Sequence, residues 1–99
     1  MEELASIFKA LSDPTRLRLI KLLAQQGPGC ALCVMALAER VGVSQPAVSQ
    51  HLRVLRNLGL VRGERRGFRV HYFIDERELA RWRELAREVL EGNKPQEDR

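Results

Sequence analysis

The segment Val41-Gly42-Val43-Ser44-Gln45-Pro46-Ala47-Val48-Ser49-Gln50-His51-Leu52 decides the fold of this 99-residue chain. One helix breaks at Gly42, and the next begins after Ser44, a residue type that caps helix N-termini, with Pro46 in its first turn. The apolar residues that follow recur at spacings of four, three and three, at positions Val48, Leu52, Leu55 and Leu58. This periodicity predicts an amphipathic helix that packs on a core through one stripe.

The opposite face of that helix carries amide, hydroxyl and guanidinium groups and no acid: Gln45, Ser49, Gln50, Arg53 and Arg56. Such groups hydrogen-bond to base edges in the major groove and to phosphates. A solvated helix face is the alternative, but such a face normally mixes Glu with Lys. The segment therefore predicts the second helix of a helix-turn-helix that reads double-stranded DNA.

A basic hairpin follows, with strands predicted over Leu60 to Glu64 and Phe68 to Ile74 around Arg65-Arg66-Gly67. Residues 44–74 contain six Arg against a single acid, Glu64, so the positive charge of the chain is concentrated here. A solvated arginine-rich surface is the alternative. We expect Arg65, Arg66 and Arg69 to contact phosphates or a narrow minor groove, because a concentrated basic face is typical of polyanion binders.

The remaining segments predict helices on both sides of this unit. A first helix carries Leu4 to Leu11, a second begins after Ser12-Asp13-Pro14, a third runs from about Ala31 to Arg40, and a last one starts at Asp75. The fold class is mainly α with a small β-hairpin, a winged helix-turn-helix in the order α1-α2-α3-α4-β-β-α5. We expect residues 1–92 to form this domain and residues 93–99 a polar tail.

The last helix has a long apolar stripe, which comprises Leu79, Trp82, Leu85, Ala86, Val89 and Leu90. No further domain is available to cover it, so it must pack on the first helix or on a second chain. This predicts a homodimer formed through the first and last helices. A two-fold dimer would place two reading helices in successive major grooves of an imperfect palindrome.

Composition argues against two other classes of protein, membrane proteins and secreted proteins. The longest apolar runs are far shorter than the roughly 20 residues that span a membrane, and the N-terminus is acidic, so no membrane partner is expected. Two cysteines are too few for the disulfide framework of a small secreted protein. A cytoplasmic location is therefore expected.

Two stretches resemble the hallmarks of the ArsR/SmtB family of repressors: Ala10-Leu11-Ser12-Asp13-Pro14-Thr15-Arg16-Leu17-Arg18 and Val43 to Leu52. The resemblance spans roughly residues 4–90 and includes Leu58-Gly59-Leu60-Val61 and Arg66-Gly67. It implies a dimeric transcriptional repressor that leaves its operator when an inducer, often a toxic metal or metalloid, binds. It also implies that a set of residues lies at or near DNA: Ser44, Gln45, Ser49, Gln50, His51 and Arg53. His51 has a second interpretation, as a packing histidine hydrogen-bonded to the backbone.

The resemblance is weakest at the inducer site. Family members often carry Leu-Cys-Val-Cys-Asp-Leu where this chain has Leu32-Cys33-Val34-Met35-Ala36-Leu37, although Cys30 adds a second thiol. Placed three apart on one helix face, near its N-terminus, Cys30 and Cys33 would favour thiolates and a soft ion such as arsenite or antimonite. A third ligand would have to come from Met35, a partner chain or a small thiol. Dithiol oxidation and purely structural cysteines stay open, and the last helix lacks the histidine of the family's zinc site.

Two other functions compete with this interpretation. Cys30-x-x-Cys33 would suit a dithiol oxidoreductase, but that chemistry expects a βαβ context, and the sequence places the motif among helices. No nucleophile with its base, phosphate-binding loop or resident cofactor motif is evident, so an enzyme is not expected. A winged-helix module that binds proteins instead of DNA is the other alternative.

Overall fold

The computed structural model describes residues 1–26 and 31–92. The helices are α1 (Glu2–Leu11), α2 (Pro14–Gln25), α3 (Val34–Val41), α4 (Gln45–Asn57) and α5 (Glu76–Glu91). The strands are β1 (Leu32–Cys33), β2 (Val61–Arg66) and β3 (Arg69–Ile74), in the sheet order β1-β3-β2 with antiparallel pairing. This arrangement confirms the predicted winged helix-turn-helix. The predicted tail, residues 93–99, lies outside the described residues.

Aspartate side chains cap the starts of two helices, α2 and α5. Asp13 caps α2 by accepting a hydrogen bond from the Arg16 N–H at 3.0 Å, and Asp75 caps α5 through the N–H groups of Arg77 and Glu78. Gly42 ends α3 in the left-handed conformation, at φ 75°. Only glycine adopts that conformation without strain, so the predicted break between α3 and α4 is confirmed.

The core lies where α2 meets α1, α3, α4 and the sheet. Its most buried side chains come from α1 to α4 and from the residue that precedes β2: Ile7, Leu19, Leu23, Leu37, Val48, Leu52, Leu55 and Leu60. The α2 helix is central and has two faces: Leu19 and Leu23 are buried, whereas Leu17 is exposed. Burial of such side chains contributes about 1.5–3 kcal/mol each, so this shared cluster holds the helices against the hairpin.

The third helix begins later than the sequence predicts. Residues 32 and 33 form β1, whose Leu32 and Cys33 are paired with Tyr72 and His71 of β3. Cys33 has extended dihedrals and is the N-cap of α3. Met35, in the first turn of α3, is 48% exposed. The apolar residues of this segment have a spacing that resembles that of a helix. The sequence therefore does not reveal β1, which is recognisable only through its pairing with the distant strand β3.

The hairpin is longer at its tip than predicted. β2 extends to Arg66, which pairs with Arg69, and the turn consists of Gly67 and Phe68. Gly67 has φ 67°, which suits a tight connection. Arg65 and Arg66 therefore lie within a strand next to the turn.

In residues 1–26 and 31–92, no helix is long and apolar enough to cross a membrane.

Candidate nucleic-acid interface

The α4 helix has two distinct faces. Val48, Leu52 and Leu55 are buried in the core, so this side of the helix faces inward. Gln45, Ser49, Gln50 and Arg53 are exposed on the other side. Across the two described parts of the chain, their side chains make no hydrogen bond to other residues. The fold thus leaves these donors and acceptors available to a ligand.

Ser44 starts this helix. Its hydroxyl oxygen accepts a hydrogen bond from the Ala47 N–H at 3.2 Å, as an N-cap does. The side chain is also exposed, and its O–H remains a donor. Ser44 therefore has a structural role that accounts for its presence at this position.

His51 lies on a different side of α4 from the other predicted contacts. Its side chain is 23% exposed, its Nδ1 lies 3.3 Å from Nη1 of Arg16, and its Nε2 lies 3.9 Å from Oδ1 of Asp13. The two sequence interpretations were DNA contact and packing with a hydrogen bond to the backbone. In the structure the hydrogen-bonding partner is a side chain, on α2.

The hairpin of β2 and β3 is the wing of this fold, and its arginines are exposed and differ in their partners. Arg66 donates from Nε and Nη2 to one carboxylate oxygen of Glu64, at 3.1 and 2.9 Å. Arg65 and Arg69 form no ion pair with a described residue. An exposed pair such as Arg66–Glu64 contributes little to stability, so it does not prevent Arg66 from moving to a phosphate.

Cys33 connects the predicted inducer site with both predicted DNA elements. It lines a cavity of about 270 Å³ together with Met35, with Gln45 at the start of α4, and with Arg69 of the wing. The nearby backbone N–H groups of Ala36, then of Met35, and the charge of Arg69 lower the pKa of the Cys33 thiol against the opposing effect of burial. The site therefore favours a thiolate, as the sequence predicted for a helix N-terminus.

The predicted geometry of the two thiols is wrong. Cys33 precedes α3 as its N-cap in a strand, so the pair does not occupy successive turns of one helix. The expectation that the motif lies among helices fails for the same reason. Cys30 lies outside the described residues.

The sequence analysis assigns no role to Arg16, although this residue lies in the same region. Arg16 of α2 is the side chain that contacts His51, yet the sequence presents it only as part of the Asp13-Pro14-Thr15-Arg16 stretch. The signal was its presence in one of the two family-like motifs. The contact itself joins residues 35 positions apart, which no local pattern indicates.

The exposed polar helix beside a basic hairpin defines a winged helix-turn-helix regulator of transcription. The sequence profile described as the arsR family of bacterial regulatory proteins matches residues 13–62. The chain belongs to this family, whose members are DNA-binding transcriptional regulators.

Individual relatives support the same assignment. A transcriptional repressor SmtB homolog of Synechocystis is 41% identical over 93 residues, which cover 93% of this chain and 67% of the relative. A CadC homolog of Staphylococcus aureus, a cadmium resistance regulatory protein, is 38% identical over 75% of this chain and 56% of its own length. A homodimeric winged helix-turn-helix DNA-binding domain of Mycobacterium bovis matches with a TM-score of 0.70 and 31% identity. The match covers 95% of this chain and 88% of that domain.

Proposed function

We propose that this protein is a repressor that binds an imperfect palindromic operator as a homodimer and is released by a thiol-directed inducer. The observation that carries the proposal is the acid-free exposed face of α4, with Gln45, Ser49, Gln50 and Arg53 beside the basic wing. In the major groove, glutamine amides would read adenine edges and arginine would bind guanine or phosphate. Ser44, Arg65, Arg66 and Arg69 would hold the domain on the backbone.

The dimer is supported by apolar surface at the end of α5. Val89 is 41% exposed and Leu90 is 74% exposed, while α1 presents Phe8. The similar M. bovis domain is described as homodimeric. A two-fold dimer that covers these side chains would present two α4 helices, one for each half of a palindrome.

The inducer is proposed to act at Cys33, with Cys30 as its partner thiol. The thiolate-favouring environment of Cys33 suits arsenite, antimonite, another soft metal ion or an oxidant. In residues 1–26 and 31–92, no three His, Cys, Asp or Glu side chains gather closely enough to hold a metal. These residues alone do not complete a metal site, although Met35 lines the same cavity as Cys33. Cys30, a partner chain or a small thiol would have to supply the missing ligands.

The cytoplasm is the location that fits this function, because operator DNA lies there and thiols stay reduced there.

DNA reading is tested by selecting duplexes from a random pool with the wild-type protein and then measuring affinities. Gln45→Ala with Ser49→Ala should weaken binding to the selected palindrome by at least tenfold, since removing a base-specific hydrogen-bonded pair costs about 1–3 kcal/mol. Gln25→Ala with Ser6→Ala removes the same side-chain types from exposed positions on other helices and should leave affinity unchanged. Failure of the wild type to enrich any duplex would contradict the function and favour a protein-binding module.

Inducer identity is tested by titrating the selected complex with arsenite, antimonite, cadmium, lead, zinc and an oxidant. The active compound should release wild-type protein, and Cys33→Ser should abolish that release. Repeating the titration with Cys30→Ser separates a dithiol response from one that needs Cys33 alone. If no compound released the protein, thiol sensing would be abandoned and the cysteines would be structural.

A further inference from the structure

A polar cluster joins the corner between α1 and α2 to the helix proposed to read DNA. It consists of Asp13 and Arg16 at the start of α2 and His51 in the middle of α4. Asp13 caps α2, but neither the core packing nor the exposed face of α4 accounts for Arg16 and His51. Asp13 and Arg16 belong to a family-like motif to which the proposed function gives no role.

Arg16 is held from three directions. Its Nε donates to the Ala10 carbonyl at 2.7 Å, its Nη2 lies 3.5 Å from the Lys9 carbonyl, and its Nη1 contacts His51. The two carbonyls belong to the last turn of α1, where a cation is also favoured by the helix dipole. The guanidinium therefore connects the end of α1 to α4 through one rigid planar group.

The contact also selects one tautomer of the neutral imidazole. Arginine only donates hydrogen bonds, so Nδ1 of His51 must present its lone pair to Arg16. In the neutral ring the proton then lies on Nε2, the nitrogen that faces Asp13 at 3.9 Å. That distance is too long for a direct hydrogen bond, but the carboxylate favours the N–H on its side.

We infer that Arg16 and His51 are positioning residues that set the rotation of α4 relative to α1. Burial of Val48, Leu52 and Leu55 stabilises the packing of α4 but does not fix its exact rotation, because apolar contacts tolerate small rotations of a helix. The hydrogen bond between Arg16 and His51 is directional and therefore restricts that rotation. His51 immediately follows Gln50, so fixing its ring fixes the angle at which the polar face is presented. Sites of this kind require side chains to be held within about 0.5 Å and 10–20° by supporting contacts.

This inference rests on the proposed function and links dimerisation to DNA reading. The α1 helix contributes to the proposed dimer, and α4 reads DNA. The Arg16–His51 contact connects these elements without passing through the exposed face. His51 thus acts through α4 and does not itself touch the duplex.

A double-mutant cycle tests the inference with the selected duplex as the probe. His51→Leu and Arg16→Met should each weaken binding by about tenfold, and the double variant should be no weaker than Arg16→Met alone, because that substitution already removes the contact to His51. His51→Asn keeps an acceptor near the position of Nδ1 and should bind within about twofold of wild type. Arg18→Met, a charge loss at an exposed site on the same helix, should have no such coupling to His51→Leu.

Direct DNA contact by His51 predicts different results. The two substitutions would then be additive, His51→Asn would bind as weakly as His51→Leu, and a phosphate contact would lower the salt slope by about one. Any of these results would overturn the positioning role. Thermal denaturation of each variant separates loss of positioning from loss of folding, since an unfolded variant loses all binding.

Imidazole ¹⁵N spectra test the contact without DNA. Free wild-type protein should show His51 as the Nε2–H tautomer with a hydrogen-bonded Nδ1, and Arg16→Met should remove that signature and shift the amide signals of residues 45–49. Unchanged His51 and α4 signals would contradict the inference even if no duplex were ever enriched. Failure to enrich a duplex would contradict only the proposed function.

Discussion

Cys33 shows how much of a residue's chemistry depends on backbone placement. As the N-cap of α3 it lies beside the N–H groups of Ala36 and Met35, which stabilise negative charge on sulfur. Arg69 approaches from the wing and adds a positive charge. A thiol placed on the outer face of a helix would lack these donors, so the strand position of Cys33 strengthens the case for a reactive thiolate.

This environment predicts the pH dependence of alkylation. Because the pKa of Cys33 is lowered, its thiolate and its reaction with iodoacetamide should persist to lower pH than those of an ordinary cysteine, whose pKa is about 8.5. The rate should be measured against pH in a Cys30→Ser background, so that Cys33 is the only thiol. Arg69→Met should move the profile to higher pH, since the stabilising cation is lost.

Arg65→Met is the matched control, because Arg65 lies on the opposite face of the hairpin from Arg69 in the strand register. It should leave the alkylation profile in place. Equal shifts for the two variants would mean that general charge, and not the Arg69 contact, governs the thiol.

For individual residues, the sequence predicts those roles that depend on neighbours close along the chain. Ser44 was identified as a cap from its own segment, and its partner Ala47 is three positions away. His51 could not be resolved, because its partner Arg16 lies on another helix. The difference is one of range: capping uses local backbone, whereas the His51 contact exists only after α2 and α4 have packed.

The wing is the element on which we expect the affinity for DNA to depend most. Arg65 and Arg66 are paired within the ladder next to the Gly67–Phe68 turn, so the strands hold their backbone rigidly. Their side chains remain exposed. Rigid backbone with mobile cationic ends suits phosphate contacts, which position a domain without selecting a sequence.

Arg65→Ala combined with Arg66→Ala should therefore weaken binding to all duplexes alike. The slope of log affinity against log salt should fall by about one for each phosphate that the wing no longer neutralises. Arg77→Ala combined with Arg83→Ala removes the same charge from exposed positions on α5 and serves as the control. A salt slope identical to that of wild type would exclude the wing from the DNA interface.

The elements also show which structural signals a sequence contains. Both hairpin strands and the helices α1, α2, α4 and α5 were predicted, because each has its own period and punctuation. The strand β1 was missed, since two residues carry no period and its pairing depends on β3, about 40 residues further along. That omission displaced the start of α3 and with it the geometry assigned to Cys33.

For the whole molecule, the distribution of apolar surface separates the folding core from the proposed dimer surface. Trp82 of α5 is buried, and Arg81 bonds to Glu3 of α1 and to Glu78, so the first half of α5 is bound to its own chain. Towards the C-terminal end of α5 the apolar stripe becomes exposed to solvent, at Val89 and Leu90. The sequence predicted the stripe, but only the structure shows which part of it the chain leaves uncovered.

Leu90→Glu should convert the proposed dimer to a monomer while leaving the fold intact. The substitution places a charge where a second copy would bury a leucine, and desolvating an unpaired carboxylate costs several kcal/mol, whereas Leu90 contributes little to the chain's own core. Sedimentation velocity over a range of protein concentrations measures the change, with circular dichroism to verify helix content. Phe68→Glu introduces the same charge at an exposed aromatic on the wing turn and should remain dimeric. If Leu90→Glu sedimented as wild type does, the proposed seam would have to lie elsewhere, and the two α4 helices would not be spaced for a palindrome as proposed.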